Sequence, residues 1–364
     1  MMRDHTKLAG RQRFAALAVF LLAMPGLARA QAADADLRHA IVTLNQAGDI
    51  GETLAILNQA VRAEPRLGAA HLVSGDLLAL MGGVAPPAAL AAPAPPEDAT
   101  AREMRTRPSS DLVELRAELR ARSAHLTRGP DQLPLNVLAM GQGINHVLLV
   151  DVNGPRVFLL GRRGNGLGVE GEFYTSVGVR GGGKSQAGDL RTPLGAYRIR
   201  KELPSSRLQR YHGAFAWVLN YPNADDLAEG RTGSNIWIHG TPPGTVARPP
   251  YSTEGCVALG NEDLWTLRRR IRIERTLVVV VEDVVWSSRR NWQTARARAL
   301  VAARQQAAEA RVARPREVQP PVERGSIVAL RPSSEVLMVH DAAARSSVVP
   351  VAIVTAAATR PVTP

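Results

Sequence analysis

From Asn136 onward the chain changes texture, and this change limits the folds open to it. Short β-branched and apolar runs cut by glycine replace the helical spacing that precedes them. Examples are His146 to Val152, Arg156 to Leu160, Glu172 to Val179, Ala196 to Ile199 and Leu277 to Glu282, with Asn153-Gly154 as a hairpin turn. One clear helix interrupts them, Asn261 to about Arg270. Residues 136–285 are therefore expected to form a β-rich α+β domain of about 150 residues, an ordinary domain size.

The flanks read differently. Lys7, Arg11 and Arg13, then the apolar stretch Phe14 to Met24, then Ala28-Arg29-Ala30, have the layout of a secretory signal peptide over residues 1–30. An uncleaved anchor is the alternative, although the apolar stretch is short for a membrane span. Residues 31–83 read as helices, with Leu37, Ile41 and Leu44 on one face, then Leu54, Leu57 and Val61, then Leu72, Leu77 and Leu80. They form either a plain helical hairpin or a tetratricopeptide-like unit in which Ala60 and Gly75 occupy small-residue positions.

Residues 84–108 are a Pro/Ala-rich linker without a periodic face. A helix within 109–135 opens at Ser110-Asp111, points Leu112, Leu115 and Leu119 one way and arginines the other, and ends by Gly129-Pro130. An Ala/Arg-rich helix occupies 286–314. The 315–364 stretch is a Pro-rich linker and tail holding a strand pair, Ile327 to Leu330 with Val336 to His340.

Length sets two to three domains at about 100–200 residues each. The net charge of +12 implies attraction to a polyanion. The arginines are interspersed with Glu and Asp, which suits a solvated surface better than a nucleic-acid cleft. No stretch after the first thirty residues is long and apolar enough to span a membrane. The mature chain is expected outside the cytoplasm, in the periplasm or cell envelope, and there a single cysteine acquires meaning. It has no partner within the chain for a disulfide, so it is flagged as reactive.

That cysteine, Cys256, follows Gly255, and His239 stands seventeen residues earlier, before Gly240. Taken bare, the pair reads first as a buried structural cysteine and an unrelated histidine. Read chemically, it is a nucleophile and its base, because a thiol attacks a carbonyl well only as thiolate. Gly255 permits a tight turn whose backbone N–H groups converge on an oxyanion. The end of Ile236-Trp237-Ile238 holds the imidazole rigidly, with Gly240 orienting its second nitrogen through the backbone. Pro242, Pro243, Pro249 and Pro250 make the intervening segment a stiff loop.

With one cysteine and no close pair of histidines, a zinc site is not expected. Lys184 and Arg191 lie in a Gly-rich loop without the Walker spacing. Asn261 or Asp263 is expected to cap the helix that follows, and His146 and His212 read as spare histidines.

The run Ser234 to Leu267 resembles the L,D-transpeptidase catalytic (YkuD-type) family of bacterial cell-wall enzymes. His239-Gly240 and Thr253-Glu254-Gly255-Cys256-Val257 carry the resemblance, together with Arg191-Thr192-Pro193-Leu194-Gly195 upstream. Tyr221-Pro222-Asn223 and Gly230-Arg231-Thr232-Gly233 resemble one exported branch. Two positions depart from the pattern. Glu254 stands where the family has histidine, and Ala258 where it has arginine or asparagine. An inward carboxylate at Glu254 would disfavour the thiolate, so an outward orientation is expected.

The resemblance implies a β-sandwich-like catalytic domain with one helix after the nucleophile. It implies acyl transfer on peptidoglycan stem peptides, with Cys256 as nucleophile forming a thioester and His239 as general base and acid. Gly240 would orient His239, and the N–H groups of Gly255 and Cys256 would bind the oxyanion. Trp237, Tyr221, Thr253 and Glu254 would contact substrate, Tyr221 by closing the acyl pocket. No metal or organic cofactor is implied. Resolution of the thioester by the side-chain amine of a second stem would make a 3→3 cross-link. Resolution by water would make the chain an L,D-carboxypeptidase or L,D-endopeptidase. A wall-binding scaffold without catalysis, recruiting envelope proteins through its N-terminal helices, is the reading from another class.

Overall fold

The computed structural model describes residues 27–83, 112–164, 166–312 and 336–337 of the 364. The expected signal peptide up to residue 26, the Pro/Ala linker and all of the tail except Val336–Leu337 lie outside the described residues. Four helices come first: α1 (Leu27–Ala47), α2 (Ile50–Ala63), α3 (Gly68–Met81) and α4 (Leu112–Ser123). Asp49 caps α2 by accepting from the Glu52 N–H, and Gly48 before it takes a left-handed φ of 64°, which gives the chain its sharp reversal.

Leu37, Leu57, Ala60, Ala69, Ala70, Val73 and Leu77 fill the small core between these helices, with Ile41, Leu44, Leu54 and Val61 against it. Two expectations about the faces need correcting. Leu80 is exposed, and the buried side of α3 is its alanine and valine side. In α4, Leu112 is exposed while Glu118, Ala121 and Arg122 are buried. Gly75 packs against nothing, so it fills no small-residue niche.

The β-rich part contains β1 (Leu133–Pro134), β2 (Ala139–Met140), β3 (His146–Asp151), β4 (Arg156–Arg163), β5 (Gly166–Gly178), β6 (Gly195–Pro204) and β7 (Phe215–Leu219). A short helix α5 (Ala224–Ala228) follows. Then come β8 (Trp237–His239), β9 (Tyr251–Thr253), β10 (Val257–Leu259), helix α6 (Asn261–Arg270) and β11 (Thr276–Val281). Last are β12 (Trp286–Ser287), helix α7 (Arg289–Val312) and β13 (Val336–Leu337).

The main sheet runs β10-β8-β7-β6-β11-β3-β4-β5-β9, and β10 also pairs with β5. That second pairing closes the strands on themselves into a barrel-like arrangement. Closure satisfies both backbone edges of β10, a strand of only three residues.

The strands carry apolar side chains on both faces because both faces are covered. Leu148, Val150, Val278 and Val280 face one core with Trp217 and with Leu264 and Leu267 of α6. Val147, Leu149, Val279 and Val281 face a second core with Phe158 and Trp292 of α7. The Trp292 Nε1–H donates to the carbonyls of Pro134 and Val137, so α7 lies on the domain. Val336–Leu337 pairs antiparallel with Ala139–Met140, away from the partner expected from sequence, and Ile327 to Leu330 lies outside the described residues.

A charged network joins the helices to the barrel. Arg122 reaches Glu118 at 2.8 Å and Asp34 at 2.7 Å. Arg156 reaches Glu172 at 3.1 Å and Asp34 at 3.6 Å, and Arg38 reaches Glu172 at 2.7 Å. Burial opposes the charge on Asp34, but Arg156 and Arg122 outweigh it and hold the carboxyl below its ordinary value. Burial also opposes the charge on Arg122, and Glu118 and Asp34 outweigh it in turn.

Replacing Arg122 with Ala leaves the buried Glu118 without its ion-pair partner and Asp34 with only the more distant Arg156, an imbalance that costs about 3–5 kcal/mol in comparable sites. Urea denaturation should show a loss of that size at neutral pH. Asp34, with its folded pKa depressed from 3.8, contributes stability above that value and loses it as pH falls through the lower folded pKa. The gap between wild type and Arg122→Ala should therefore narrow in acid.

Candidate active site

β8 and β10 lie side by side and parallel, with Ala258 in register with His239 and Val257 with Ile238. Cys256 immediately precedes β10, so the register sets it level with Trp237, two residues short of His239 on a neighbouring strand about 4.8 Å away. Both line one groove of about 700 Å³, together with Trp237, Glu254, His212 and Arg248 among others.

His239 is buried, and its Nδ1 lies 2.6 Å from the Gly240 carbonyl oxygen. A carbonyl only accepts, so Nδ1 carries the proton, and in the neutral ring Nε2 is left as the base. Gly240 has a second constraint: a Cβ there would collide with Asn261 Oδ1. That oxygen accepts from the N–H groups of Ala214 and Thr241, and Asn261 Nδ2 donates to the Thr241 carbonyl. Asn261 thus ties down the strand end behind His239. It does not cap α6, whose N-cap is Gly260, and Asp263 instead accepts from Gln31 in α1. The role of Asn261 was not legible because its partners stand 20 and 47 residues away.

The nucleophile turn is equally specific. Gly255 adopts φ 122°, and a Cβ would run into the Arg191 carbonyl oxygen, so only glycine fits. Thr253 Oγ1 donates to the Cys256 carbonyl at 2.6 Å and accepts from the Gly255 N–H at 3.1 Å. This corrects the expectation that Gly255 offers its N–H to an oxyanion, since that hydrogen is committed to Thr253. Thr253 is buried and acts through the turn, although it also lines the groove. Cys256 is partly exposed, with Sγ 3.6 Å from the Asn235 carbonyl. Glu254 lines the groove and is exposed.

The Thr-Pro-x-Gly element backs this turn. Thr192 Oγ1 accepts from the Gly178 N–H at 2.8 Å, and its neighbour Arg191 supplies the carbonyl that excludes a side chain at Gly255. Lys184 is buried, with Nζ on Asp189 at 2.7 Å.

Tyr221 does not close the acyl pocket. It is buried in the barrel core beside Tyr197, donates to the Thr232 carbonyl at 2.9 Å, and is not among the groove residues. The neighbouring Asn223 caps α5 in a reciprocal pair with Asp226, and Arg231 meets Asp226 at 2.7 Å. The segments from Tyr221 to Asn223 and from Gly230 to Gly233 therefore build a brace beneath the site.

His212 was read as spare and is not. Its ring stands edge-on to His239 with centroids 4.8 Å apart, and 4.9 Å from Trp237. Trp237 accordingly lines the groove within an aromatic cluster. His212 also stands before a glycine, Gly213, but 26 residues of intervening chain hide that it meets His239 in space. Among the described residues, no group of three or more His, Cys, Asp or Glu is placed to hold a metal ion, and no helix is long and apolar enough to cross a membrane.

Thiolate character at Cys256 should depend on both sides of this geometry. At pH 7, His239→Ala and Gly255→Ala are each expected to slow alkylation of Cys256 by iodoacetamide about tenfold or more, because the thiolate is the reacting form. The first removes the base, and the second displaces the sulfur from it.

The family model of the L,D-transpeptidase catalytic domain (YkuD) matches residues 145–280. Among solved structures, Bd1075 of Bdellovibrio bacteriovorus is 27% identical over 50% of this chain and 66% of its own, with a TM-score of 0.43. The helical cell shape determining protein Pgp2 from Campylobacter jejuni is 23% identical over 47% and 59%, with a TM-score of 0.38. L,D-transpeptidase 3 from Mycobacterium tuberculosis, in complex with a faropenem-derived adduct, is 14% identical over 37% and 59%, with a TM-score of 0.24. The chain thus spans about two thirds or less of the length of each. No curated protein matches it. Over residues 145–280, with His239 and Cys256 inside the matched region, the chain carries an L,D-transpeptidase catalytic domain of the YkuD family.

Proposed function

We propose that this chain is an exported enzyme that transfers the acyl group of a peptidoglycan stem peptide through a thioester on Cys256. The observation that carries the reading is the pairing of β8 with β10. It brings the Nδ1-anchored His239, last residue of β8, and the glycine-held Cys256, just before β10, within two residues of register on adjacent strands, and both line one groove.

In the proposed reaction, His239 Nε2 takes the proton from Cys256 Sγ. The thiolate attacks the carbonyl carbon of the diamino acid at the third stem position. The C–N bond to the terminal D-alanine breaks, and the imidazolium returns its proton to the leaving amine. A thioester remains. The side-chain amine of a second stem, losing a proton to His239, attacks it and forms a 3→3 cross-link while the thiol is restored.

The oxyanion donor at the turn is assigned to the Cys256 N–H, since Gly255 is engaged by Thr253. Trp237 and Glu254 flank the groove as substrate contacts. Export into the periplasm or envelope follows from the signal-like start. The N-terminal helices, with Leu78 and Met81 exposed, would face envelope partners.

Hydrolysis is the second reading, because the partly exposed Cys256 is open to water. Water in place of the amine makes the same site an L,D-carboxypeptidase or endopeptidase. Incubating the protein with purified disaccharide-tetrapeptides and resolving products by mass spectrometry separates the outcomes. Cross-linked dimers that vanish in Cys256→Ala support transfer, whereas tripeptides alone support hydrolysis. No product and no covalent adduct with a carbapenem would exclude both.

A further inference from the structure

The loop joining His239 to Cys256 forms part of the groove, contributing Pro242, Thr245, Arg248 and Pro249 to its lining. Its ends are fastened within the barrel. Asn261 holds Thr241, while Ser176 Oγ donates to the Pro249 carbonyl at 2.7 Å and the Val177 N–H to the Pro250 carbonyl at 2.9 Å. Arg248 is buried and donates through Nη2 to the Tyr174 carbonyl at 2.8 Å.

The middle of the loop is fastened elsewhere. Arg66, in the turn between α2 and α3, donates to the Gly244 carbonyl at 2.8 Å. Arg122 in α4 donates to the Val246 carbonyl at 3.0 Å, and Glu118 Oε2 accepts the Arg248 N–H at 3.0 Å. Val246 packs against the core of the helical region. Gly68 and Leu115 close around Ala247: a Cβ at Gly68 would lie 2.6 Å from Leu115 Cδ2 and 3.9 Å from the Ala247 Cβ. A loop rich in proline makes few hydrogen bonds of its own, so its shape depends on what it rests against.

We infer that the N-terminal helical region is the outer support of one groove wall, and that Arg66, Glu118 and Arg122 are positioning residues that set where the wall stands and how tightly a stem peptide is held. This rests on the acyl-transfer reading for the identity of the substrate, but the mechanical part does not. Glu118 and Arg122 also bond to each other at 2.8 Å, so one buried pair grips two successive points of the loop. Arg66 is the cleanest place to intervene. Its side chain is largely exposed, and removing it leaves the buried pair intact.

The test uses the full chain as Arg66→Ala, Arg66→Lys and Glu118→Gln. Hydrogen–deuterium exchange followed by mass spectrometry reads the loop without substrate. Turnover of disaccharide-tetrapeptide reads KM and kcat. Arg66→Ala should speed exchange several-fold in peptides covering residues 241–250, and raise KM about fivefold with kcat within twofold of wild type. Arg66→Lys should recover most of both effects, and Glu118→Gln should act in the same direction. Unchanged exchange in that loop overturns the inference. So does a fall in kcat with KM unchanged, or faster exchange across the whole barrel, either of which would make these residues merely structural. If wild type turns over no stem peptide, the functional reading fails while the exchange result still decides whether the helices hold the wall.

Discussion

Everything at the site depends on β10, three residues long, having a partner on each side. It runs parallel to β8 and antiparallel to β5. The first pairing brings Cys256 within two residues of register of His239, and the second closes the barrel and prevents that short strand from becoming a frayed edge. Thr175 Oγ1 on β5 donates to the Ala258 carbonyl at 2.8 Å, a further tie on the same strand. Ala258 is buried on this strand, with little of it reaching the groove.

Around this closure, charge does what apolar packing does elsewhere. The face of the barrel toward the helices presents Arg156, Glu172 and Tyr174. The helices answer with Asp34, Arg38 and Arg122. The Arg122 and Arg248 guanidinium groups both lie over the Tyr174 ring, at 4.3 and 4.4 Å from its centroid. Burying so many ions is justified only when each has a partner. Here the partners come from separate stretches of chain, so the network also fixes how the helices sit on the barrel. The same residues reach the loop between His239 and Cys256, which makes domain docking and groove shape one mechanical problem.

Much of the fold was legible in the sequence, and the errors have a common origin. The strands from His146 to Asp151 and from Thr276 to Val281 showed in their β-branched runs, and α6 in its boundaries. Tyr221 was misplaced because an aromatic side chain near a proline turn reads the same in a core as in a pocket. In α4 the leucines were given the buried face, whereas Glu118 and Arg122 hold it. A charged side chain goes inside only when distant residues neutralise it, and no local pattern announces that. His212 and Asn261 were undervalued for the same reason.

The sequence by itself determined the chemical identities: one thiol, a histidine before a glycine seventeen residues ahead of it, and glycines at 240 and 255 where nothing larger is tolerated. These are properties of single residues and their immediate neighbours. Only the tertiary structure decided which hydrogen went where. It gave the Gly255 N–H to Thr253, Nδ1 of His239 to the Gly240 carbonyl, and the loop to the helices. The first two bonds join residues one or two apart, in conformations that the neighbouring strands hold, and the third joins segments 124 residues apart that meet only in the folded chain.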